Sequence, residues 1–430
     1  MRGRISVPGD KSISHRALML GAMAEGETVI LGMAPGEDVR STQECLQKIG
    51  VNIQKQNRAT RVRGRGSADL KETESVLDAG NSGTTMRLLA GILATQNFIT
   101  TVTGDVSLRR RPMQRIIEPL TQMGAKITAQ ENGCAPLAIH GGKLRGIHYK
   151  LPVASAQVKS CVLFAGLGAT GETMIEEPIP TRDHSERMLL RMGARLAVSS
   201  NQLSVNSDRL SVNNKKISIR AGRLEGCEID VPGDFSSAAF FIAAALLLPQ
   251  SELIIENVGV NPTRTAFLDV AREMGAEVEI INWRNESYEP AADLIVRHQT
   301  LQGIQIFGNR IPLFIDEIPI LAVMAAQAEG ETHIREAREL RVKESDRITA
   351  LVRNLRAMGA RVEELPDGFV ITGPTKLRGA EIDSFGDHRI AMAFAIAGLL
   401  ADSPTTIDGA DCADISFPGF FELLKKKCIS

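Results

Sequence analysis

The sequence predicts an α/β protein in which helices form the interior of two domains and sheets form the outside. The chain has 430 residues, more than a single hydrophobic core usually serves, so two domains of roughly 200 residues are expected. A pattern of helix and strand signals recurs six times, which indicates one repeated structural unit. The first helix of each unit is apolar on nearly every side, as in residues 238–248 and 391–400, which is typical of a buried helix.

Each copy of the unit starts with a small residue and a polar cluster, followed by an apolar helix, a turn with glycine and a run of β-forming residues. The copies start near residues 9, 80, 154, 233, 316 and 386, so their separations range from 70 to 83 residues. Most copies also contain a second, amphipathic helix that ends at a glycine, such as Gly124 or Gly359, and glycine is a natural helix stop. Six units divide naturally into two domains of three.

The domain boundary is expected near the middle of the chain, where residues 199–220 form a polar stretch rich in Ser, Asn and Lys. The strand predicted at residues 4–7 is expected to complete the second domain. We therefore expect one domain of residues 10–228 and a second domain of residues 1–9 plus 229–430.

Composition excludes several classes of function. The chain has 50 Lys and Arg against 51 Asp and Glu, so no global positive field would hold nucleic acid or an anionic membrane. Its six cysteines include neither a CxxC pair nor a Cys/His cluster, which argues against a zinc site and a disulfide framework. The longest apolar run, residues 238–248, is far shorter than the roughly 18 residues of a membrane span, and the first residues lack a signal-peptide core. We expect a cytoplasmic protein, and a monomer, because a two-domain clamp needs no partner subunit.

The polar clusters fall at the N-termini of the buried helices, where unpaired N–H groups and the helix dipole favour anions. Ordinary helix capping by Ser, Thr, Asn and Asp is the alternative. Residues 8–16 place Lys11 in a strand-to-helix turn and Arg16 further along the helix, as an anion site requires. The Lys-Ser pair does not form a nucleotide P-loop, because Ile5 and Asp10 stand where that motif needs glycine.

Further charged segments each allow a structural and a functional interpretation. Residues 109–112, Arg-Arg-Arg-Pro, are either a solvated loop or part of an anion site. Residues 340–347 carry three cations and two anions, which fits either helix-surface ion pairs or a cationic cleft in which a Lys-Glu pair moves protons. His388 at a helix start, the turn at residues 181–184 and Asp316 before an apolar helix could all serve local capping or ion pairing.

Taken in this order, these clusters closely resemble the 5-enolpyruvylshikimate-3-phosphate synthase family of enolpyruvyl transferases, over essentially the whole chain. The markers are PGDKSISHRA (8–17), LDAGNSGTTMRLLAG (77–91), RRRPM (109–113), SAQVKS (155–160), TRDH (181–184), LRVKESDR (340–347), GDHRIAMAF (386–394) and SFP (416–418). The resemblance implies a two-domain inside-out α/β barrel with three repeats in each domain. It also implies transfer of the enolpyruvyl group of phosphoenolpyruvate to the 5-hydroxyl of shikimate 3-phosphate, with release of phosphate and without a metal or cofactor.

Site residues follow from the resemblance position by position. The residues expected to bind shikimate 3-phosphate are Lys11, Ser12, Arg16, Ser155, Ala156, Gln157, Arg182, Asp316 and Lys343. The residues expected to bind phosphoenolpyruvate are Lys11, Asn81, Gly83, Arg111, Gln157, Arg347, His388 and Arg389. Arginine forks suit phosphate and carboxylate alike.

The reaction needs one group to remove the 5-hydroxyl proton and another to protonate C3 of the enol, so that C2 becomes open to attack. Asp316 is our candidate for the first role and Glu344 for the second, with Lys343 between them. The chain departs from the family pattern at Ile415, where many members have lysine, and at Glu339, where asparagine is common.

Two rival interpretations remain. The sister enolpyruvyl transferase that acts on UDP-N-acetylglucosamine shares the fold but uses a cysteine in a loop that corresponds to residues 103–112, where this chain has none. A non-catalytic repeat protein would have no need of cations at so many helix starts. Binding of phosphate would separate it from an enzyme.

Overall fold

The computed structural model describes residues 1–66, 70–200, 215–285 and 288–428. Within these residues the chain forms twelve α-helices: α1 (Lys11–Met23), α2 (Glu37–Lys48), α3 (Gly83–Leu93), α4 (Gln114–Met123), α5 (Ala156–Gly166), α6 (His184–Arg191), α7 (Phe235–Leu247), α8 (Ala266–Glu273), α9 (Ile318–Gln327), α10 (Arg347–Ala357), α11 (His388–Leu399) and α12 (Phe420–Cys428). The odd-numbered helices begin where the six predicted polar clusters lie.

Strands connect the helices throughout the chain. They are β1 (Arg2–Ser6), β2 (Glu25–Leu31), β3 (Asn52–Gln56), β4 (Ala59–Arg65), β5 (Leu77–Asp78), β6 (Ile99–Thr103), β7 (Lys126–Thr128), β8 (Leu137–His140), β9 (His148–Lys150), β10 (Glu172–Glu177), β11 (Arg195–Ser200), β12 (Lys215–Arg220), β13 (Glu228–Asp230), β14 (Glu252–Gly259), β15 (Val278–Arg284), β16 (Ala291–Arg297), β17 (Gln305–Ile306), β18 (Gly330–Ile334), β19 (Arg361–Leu365), β20 (Gly368–Gly373), β21 (Glu381–Asp383) and β22 (Thr406–Asp408). The protein is therefore a mixed α/β structure.

The chain divides into two compact units. One unit, here called the N-unit, is Lys11–Val231; the other, the C-unit, is Met1–Asp10 together with Pro232–Ser430. The described residues of the polar stretch 199–220 lie within the N-unit, where β11 and β12 pair antiparallel inside one sheet. A polar sequence there reflects strands with one exposed face. Residues 201–214, the rest of that stretch, lie outside the described residues.

Five sheets share one plan, in which a short edge strand pairs parallel with a second strand and two antiparallel strands follow. The five have the orders β13-β2-β4-β3, β5-β6-β8-β7, β9-β10-β12-β11, β1-β14-β16-β15 and β17-β18-β20-β19. The sixth repeat has only the parallel pair β21 and β22 among the described strands, and the chain continues from it to α12. Every described sheet is open, with two edge strands, and none closes on itself.

The first helix of each repeat is buried, as its apolar composition predicts. All thirteen residues of α7 are buried, whereas strands such as β10 alternate between buried and more exposed positions. Within the N-unit α3 packs against α1 and α5, and within the C-unit α7, α9 and α11 pack against one another. Gly91 lets α3 and α5 approach closely, because a Cβ at this position would lie 2.2 Å from the carbonyl oxygen of Cys161.

Neither a membrane span nor a disulfide is found in the described part of the chain. None of its helices is both long enough and apolar enough to cross a bilayer. All six cysteines, of which Cys45 and Cys161 are buried, carry free thiols.

Candidate active site

The predicted site residues lie in two polar clusters, one in each unit. The Lys11 cluster of the N-unit consists of Lys11, Ser12, Arg16, Asn81, Gly83, Arg111, Ser155, Ala156, Gln157 and Arg182. The Arg347 cluster of the C-unit consists of Asp316, Lys343, Glu344, Arg347, His388 and Arg389. Each cluster gathers at the N-termini of buried helices within its own unit.

Lys11 and Arg16 are fixed by partners that lie far away in the sequence. Lys11 is the first residue of α1, and its Nζ lies 2.9 Å from Oδ2 of the nearly buried Asp38 on α2. The buried Arg16 guanidinium donates to the carbonyl of Ser12 at 2.8 Å and to the hydroxyls of Ser160 at 2.8 Å and Ser185 at 2.7 Å. Arg16 therefore ties α1 to α5 and α6.

The N-terminus of α3 lies beside two arginines. Ser82 caps this helix by accepting a hydrogen bond from the N–H of Thr85 at 3.0 Å, so the ordinary capping role is real. Arg111 follows a short 3₁₀ turn, is buried, and donates to the side-chain oxygen of Asn81 at 2.9 Å. A Cβ at Gly83, the first residue of α3, would lie 2.7 Å from Nη1 of Arg87 and 3.5 Å from Nη1 of Arg111. Small size at Gly83 therefore leaves the Arg87 guanidinium in place, whereas the distance to Arg111 would be an ordinary van der Waals contact.

Ser155 and Gln157 mark the start of α5. Ser155 is its N-cap, and Ala156 is its first residue. The Gln157 amide accepts a hydrogen bond from Arg87 at 2.8 Å and donates one to Thr84 at 3.0 Å, which joins α5 to α3.

A buried chain of hydrogen bonds joins α1 to α3. His15 Nδ1 lies 2.6 Å from the hydroxyl of Thr42 on α2, which lies 2.6 Å from the hydroxyl of Thr85, and Thr85 donates to Ser82 at 2.7 Å. These four side chains are completely buried. The N-termini of α1, α3 and α5 are thus held together by side chains behind them.

In the C-unit, residues 340–347 do not form one helix with surface ion pairs. They form a 3₁₀ turn, Arg338–Val342, followed by an extended Lys343 and the start of α10 at Arg347, which Asp346 caps. Arg347 is only 1% exposed. Its guanidinium donates to Asp387 at 2.8 Å, to Glu344 at 2.7 Å and to Asp316 at 3.4 Å. The Arg347 guanidinium therefore contacts three carboxylates at once.

Burial and mutual contact together set the charges of Arg347 and Asp387. Burial alone would raise the pKa of the Asp387 carboxyl, but the adjoining Arg347 guanidinium holds it below its usual value. Burial would likewise lower the pKa of Arg347, and Asp387 and Glu344 raise it instead. Both groups are therefore charged. Asp387 also caps α11 by accepting from the N–H of Arg389 at 2.9 Å.

Asp316 connects the remaining members of the Arg347 cluster. Its Oδ1 lies 3.4 Å from Nζ of Lys343, and its carbonyl oxygen accepts from Arg389 at 2.9 Å. Glu317 occupies the N-cap position of α9, so Asp316 is not that cap. His388 is the first residue of α11 and is buried.

Three residues near these clusters were missed by the sequence reasoning. Asp38 holds Lys11, Arg87 holds Gln157, and Asp387 holds Arg347. Arg87 and Asp387 fall inside recognised motifs, so their charge next to a buried helix was a usable signal. Asp38 lies outside every such motif, and its role depends on a contact that the sequence does not display.

Each unit by itself has cations and carboxylates at the N-termini of its buried helices, an arrangement typical of α/β proteins that bind small anions. A family model described as EPSP synthase (3-phosphoshikimate 1-carboxyvinyltransferase) matches residues 1–424. The chain belongs to this family.

Individual relatives match this chain over nearly their whole lengths. The chain is 54% identical over 429 residues to a 3-phosphoshikimate 1-carboxyvinyltransferase of Synechococcus sp. (strain JA-3-3Ab), covering 99% of this chain and 94% of the relative. It is 51% identical over 428 residues to the one of Brevibacillus brevis, covering 99% and 97%. Among solved structures, EPSP synthase from Acinetobacter baumannii has a TM-score of 0.84 and 44% identity, covering 99% of this chain and 95% of that one. The enolpyruvyl transferase NikO from Streptomyces tendae, at 18% identity and a TM-score of 0.77 over 99% and 94% of the chains, shares the fold.

Proposed function

We propose that this protein transfers the enolpyruvyl group of phosphoenolpyruvate to the 5-hydroxyl of shikimate 3-phosphate and releases inorganic phosphate, as a step of aromatic amino acid biosynthesis. Family membership over residues 1–424 supports the activity. The observation that carries it in the structure is the Arg347 cluster, in which Asp316 and Glu344 share one buried guanidinium. The reaction must remove a proton from the 5-hydroxyl oxygen and deliver a proton to C3 of the enol. Two carboxylates among cations can serve these two roles.

The anion-binding groups are assigned by substrate. For shikimate 3-phosphate they are Lys11, Ser12, Arg16, Ser155, Ala156, Gln157 and Arg182, with Asp316 and Lys343. For phosphoenolpyruvate they are Lys11, Asn81, Gly83, Arg111, Gln157, Arg347, His388 and Arg389. The support is chemical: the start of α5 offers unpaired N–H groups to phosphate, and Arg111 offers a guanidinium beside the start of α3.

Asp316 is the proposed base for the 5-hydroxyl proton, and Glu344 is the proposed acid for C3 of the enol. The 2.7 Å contact with Arg347 favours the ionised form of Glu344, which is the wrong form for an acid. An anionic substrate that takes Arg347 as its partner would remove this stabilisation and allow Glu344 to carry a proton. Lys343, 3.4 Å from Asp316, would keep that carboxylate ionised and ready to accept.

The architecture proposed for this activity is an inside-out barrel in each of two domains, with three buried helices inside three open sheets. The proposed substrate-binding halves are residues 10–228 for shikimate 3-phosphate and residues 1–9 plus 229–430 for phosphoenolpyruvate and the acid and base. We further propose a cytoplasmic monomer that needs no metal, nucleic acid or membrane. Six unpaired thiols are compatible with a reducing compartment.

The direct test mixes EDTA-treated protein with shikimate 3-phosphate and phosphoenolpyruvate and follows release of inorganic phosphate. Release should occur only with both substrates and should be unchanged by the chelator. No phosphate release with this pair, followed by release when UDP-N-acetylglucosamine replaces shikimate 3-phosphate, would assign the sister activity to this chain. No phosphate release with either acceptor would contradict the proposal that the protein is an enolpyruvyl transferase.

A further inference from the structure

The N-unit contains a buried cation that the proposed reaction does not use. Lys159 lies on α5, two residues after Gln157, and its side chain is 0% exposed. Its ammonium lies 2.8 Å from Oε1 of Glu186 and 3.0 Å from Oε1 of Glu177, and it donates to the carbonyl oxygen of Thr181 at 3.4 Å. Every described polar contact of the Lys159 side chain thus goes to the segment that runs from the end of β10 into α6.

This segment carries part of the Lys11 cluster. Glu177 is the last residue of β10 and Glu186 lies in the first turn of α6, so Lys159 holds both ends of residues 178–185. Arg182 lies within them, next to the Thr181 carbonyl. Ser185 closes the segment, and its hydroxyl lies 2.6 Å from that of Ser160, the residue after Lys159.

Charge balance explains why the cation is needed there. Burial would lower the pKa of Lys159, but Glu186 and Glu177 raise it, so the ammonium is protonated. Glu186 also lies 3.1 Å from Lys215 of β12. Without Lys159, Glu177 would be a buried carboxylate with only the Thr181 hydroxyl as a described partner, so it would take up a proton or move with its segment toward water.

A buried ion pair is weak evidence for stability, because apolar residues of similar volume often stabilise a fold equally well. What such a pair can provide is one defined geometry. We propose that Lys159 is a positioning residue that fixes residues 178–185, and with them Arg182, for the phosphate group of shikimate 3-phosphate. This inference rests on the proposed function, because it deepens the assignment of Arg182 to that substrate.

The test uses the charge-balanced double variant Lys159→Met/Glu177→Gln, which leaves Glu186 with Lys215. The KM for shikimate 3-phosphate should rise roughly 10- to 100-fold through misplacement of Arg182. The KM for phosphoenolpyruvate and kcat at saturation of both substrates should stay within about threefold, because the lost contact is uniform binding of one substrate. Amide hydrogen exchange of residues 178–185 should become faster than in the native protein.

The matched control is Arg220→Met/Glu172→Gln, which removes an ion pair of 3.2 Å from the exposed side of the same sheet, between β10 and β12. It should leave both KM values and the exchange of residues 178–185 unchanged. If the double variant fails to fold, Glu177→Gln alone, which keeps Lys159 bound to Glu186, should give a smaller change of the same kind.

Three results would overturn the inference: unchanged KM values and exchange, equal rises of both KM values, or the same shift in the control. Failure of the proposed function is recognisable separately, because the native protein would then release no phosphate. The hydrogen exchange of residues 178–185 needs no turnover and still decides whether Lys159 orders this segment.

Discussion

Two buried arginines, Arg16 and Arg347, organise the polar clusters at the scale of single residues. Each spreads one guanidinium over three partners from different parts of the chain. Such forks fix geometry better than an ammonium on a flexible stem. Arg16 reaches two hydroxyls and one carbonyl oxygen, whereas Arg347 reaches three carboxylates. Replacing Arg347 would therefore strand buried charges, and Lys343, which is 28% exposed, is the better residue to vary.

Lys343→Met should reduce kcat by at least roughly 100-fold, because Asp316 loses one of the two cations that contact its carboxylate and keeps only Arg347. Binding of shikimate 3-phosphate, measured by calorimetry, should weaken much less than turnover, because the other eight residues assigned to this substrate remain. Lys376→Met removes an exposed lysine of the same unit and should leave turnover unchanged. Native turnover in Lys343→Met would remove Lys343 from the mechanism.

Gly83→Ala should fold but bind phosphoenolpyruvate more weakly, with a KM raised roughly tenfold. The added Cβ would lie 2.7 Å from Nη1 of Arg87, the end of a flexible side chain that can move aside. Its movement would release Gln157, to which Arg87 now donates. Steady-state kinetics for both substrates would check this, with Gly142→Ala as the control because no atom lies within 4 Å of its added Cβ. An unchanged KM for phosphoenolpyruvate would contradict the role of Gly83.

At the scale of elements, tight contacts between buried helices and strands set the positions of the helix N-termini. The N-unit depends on the close approach of α3 and α5, which Gly91 permits. In the C-unit, α12 docks through Phe420, whose ring lies 5.9 Å from Phe240 and 5.6 Å from Phe241 on α7. These edge-to-face contacts bury Phe420 and attach α12 to the C-unit, in which the sixth repeat has only two described strands.

Gly91→Ala should lower the free energy of unfolding by about 1–3 kcal/mol, because the new methyl group would overlap the Cys161 carbonyl and force α3 away from α5. Urea denaturation followed by circular dichroism would measure this. Gly142→Ala serves again as the control. Equal stability of the two variants would show that α3 and α5 can separate without cost.

The contact of α5 with β10 and α6 should make stability sensitive to alkaline pH. Because the native pKa of Lys159 is raised, its stabilising effect is complete below the unfolded value of about 10.4 and is lost as pH rises through the native value. Above about pH 10, the unfolding free energy should therefore fall more steeply for the native protein than for Lys159→Met/Glu177→Gln. Parallel curves would mean that Lys159 does not titrate differently in the two states.

At the scale of the molecule, each unit takes the edge strand of one sheet from the far end of its sequence. In the N-unit this is β13, which pairs with β2; in the C-unit it is β1, which pairs with β14. The N-unit is one continuous segment, whereas the C-unit needs Met1–Asp10 in addition to the residues after 231. The two units therefore differ in how they can be separated.

A fragment of residues 11–231 should fold cooperatively by itself, whereas residues 232–430 alone should aggregate through the uncovered edge of β14. Adding a peptide of residues 1–10 should restore a soluble C-unit. Light scattering and circular dichroism would follow both fragments. A stable, monomeric fragment 232–430 without the peptide would show that β1 is dispensable.

The sequence predicted the repeated unit and the starts of its buried helices well, because apolar composition and polar N-termini are local signals. It predicted which residues gather in each cluster only through the resemblance to a family. It did not predict that Asp38 holds Lys11 or that Lys159 lies between two carboxylates, because each contact joins residues on different elements, 18 to 27 positions apart in the sequence. Composition also could not tell whether residues 199–220 form a linker or strands, since a half-exposed strand and a linker have similar compositions.

The pairing of β1 with β14 also has a consequence for how the chain is made. During synthesis on a ribosome, the N-unit has all its strands once residue 231 has emerged, but β1 must wait for β14 at residues 252–259. The first ten residues thus remain an unpaired apolar-polar strand while more than half of the protein is translated. A chaperone that binds short extended segments at the exit tunnel would find its substrate there, and slow translation after residue 231 would lengthen that exposure.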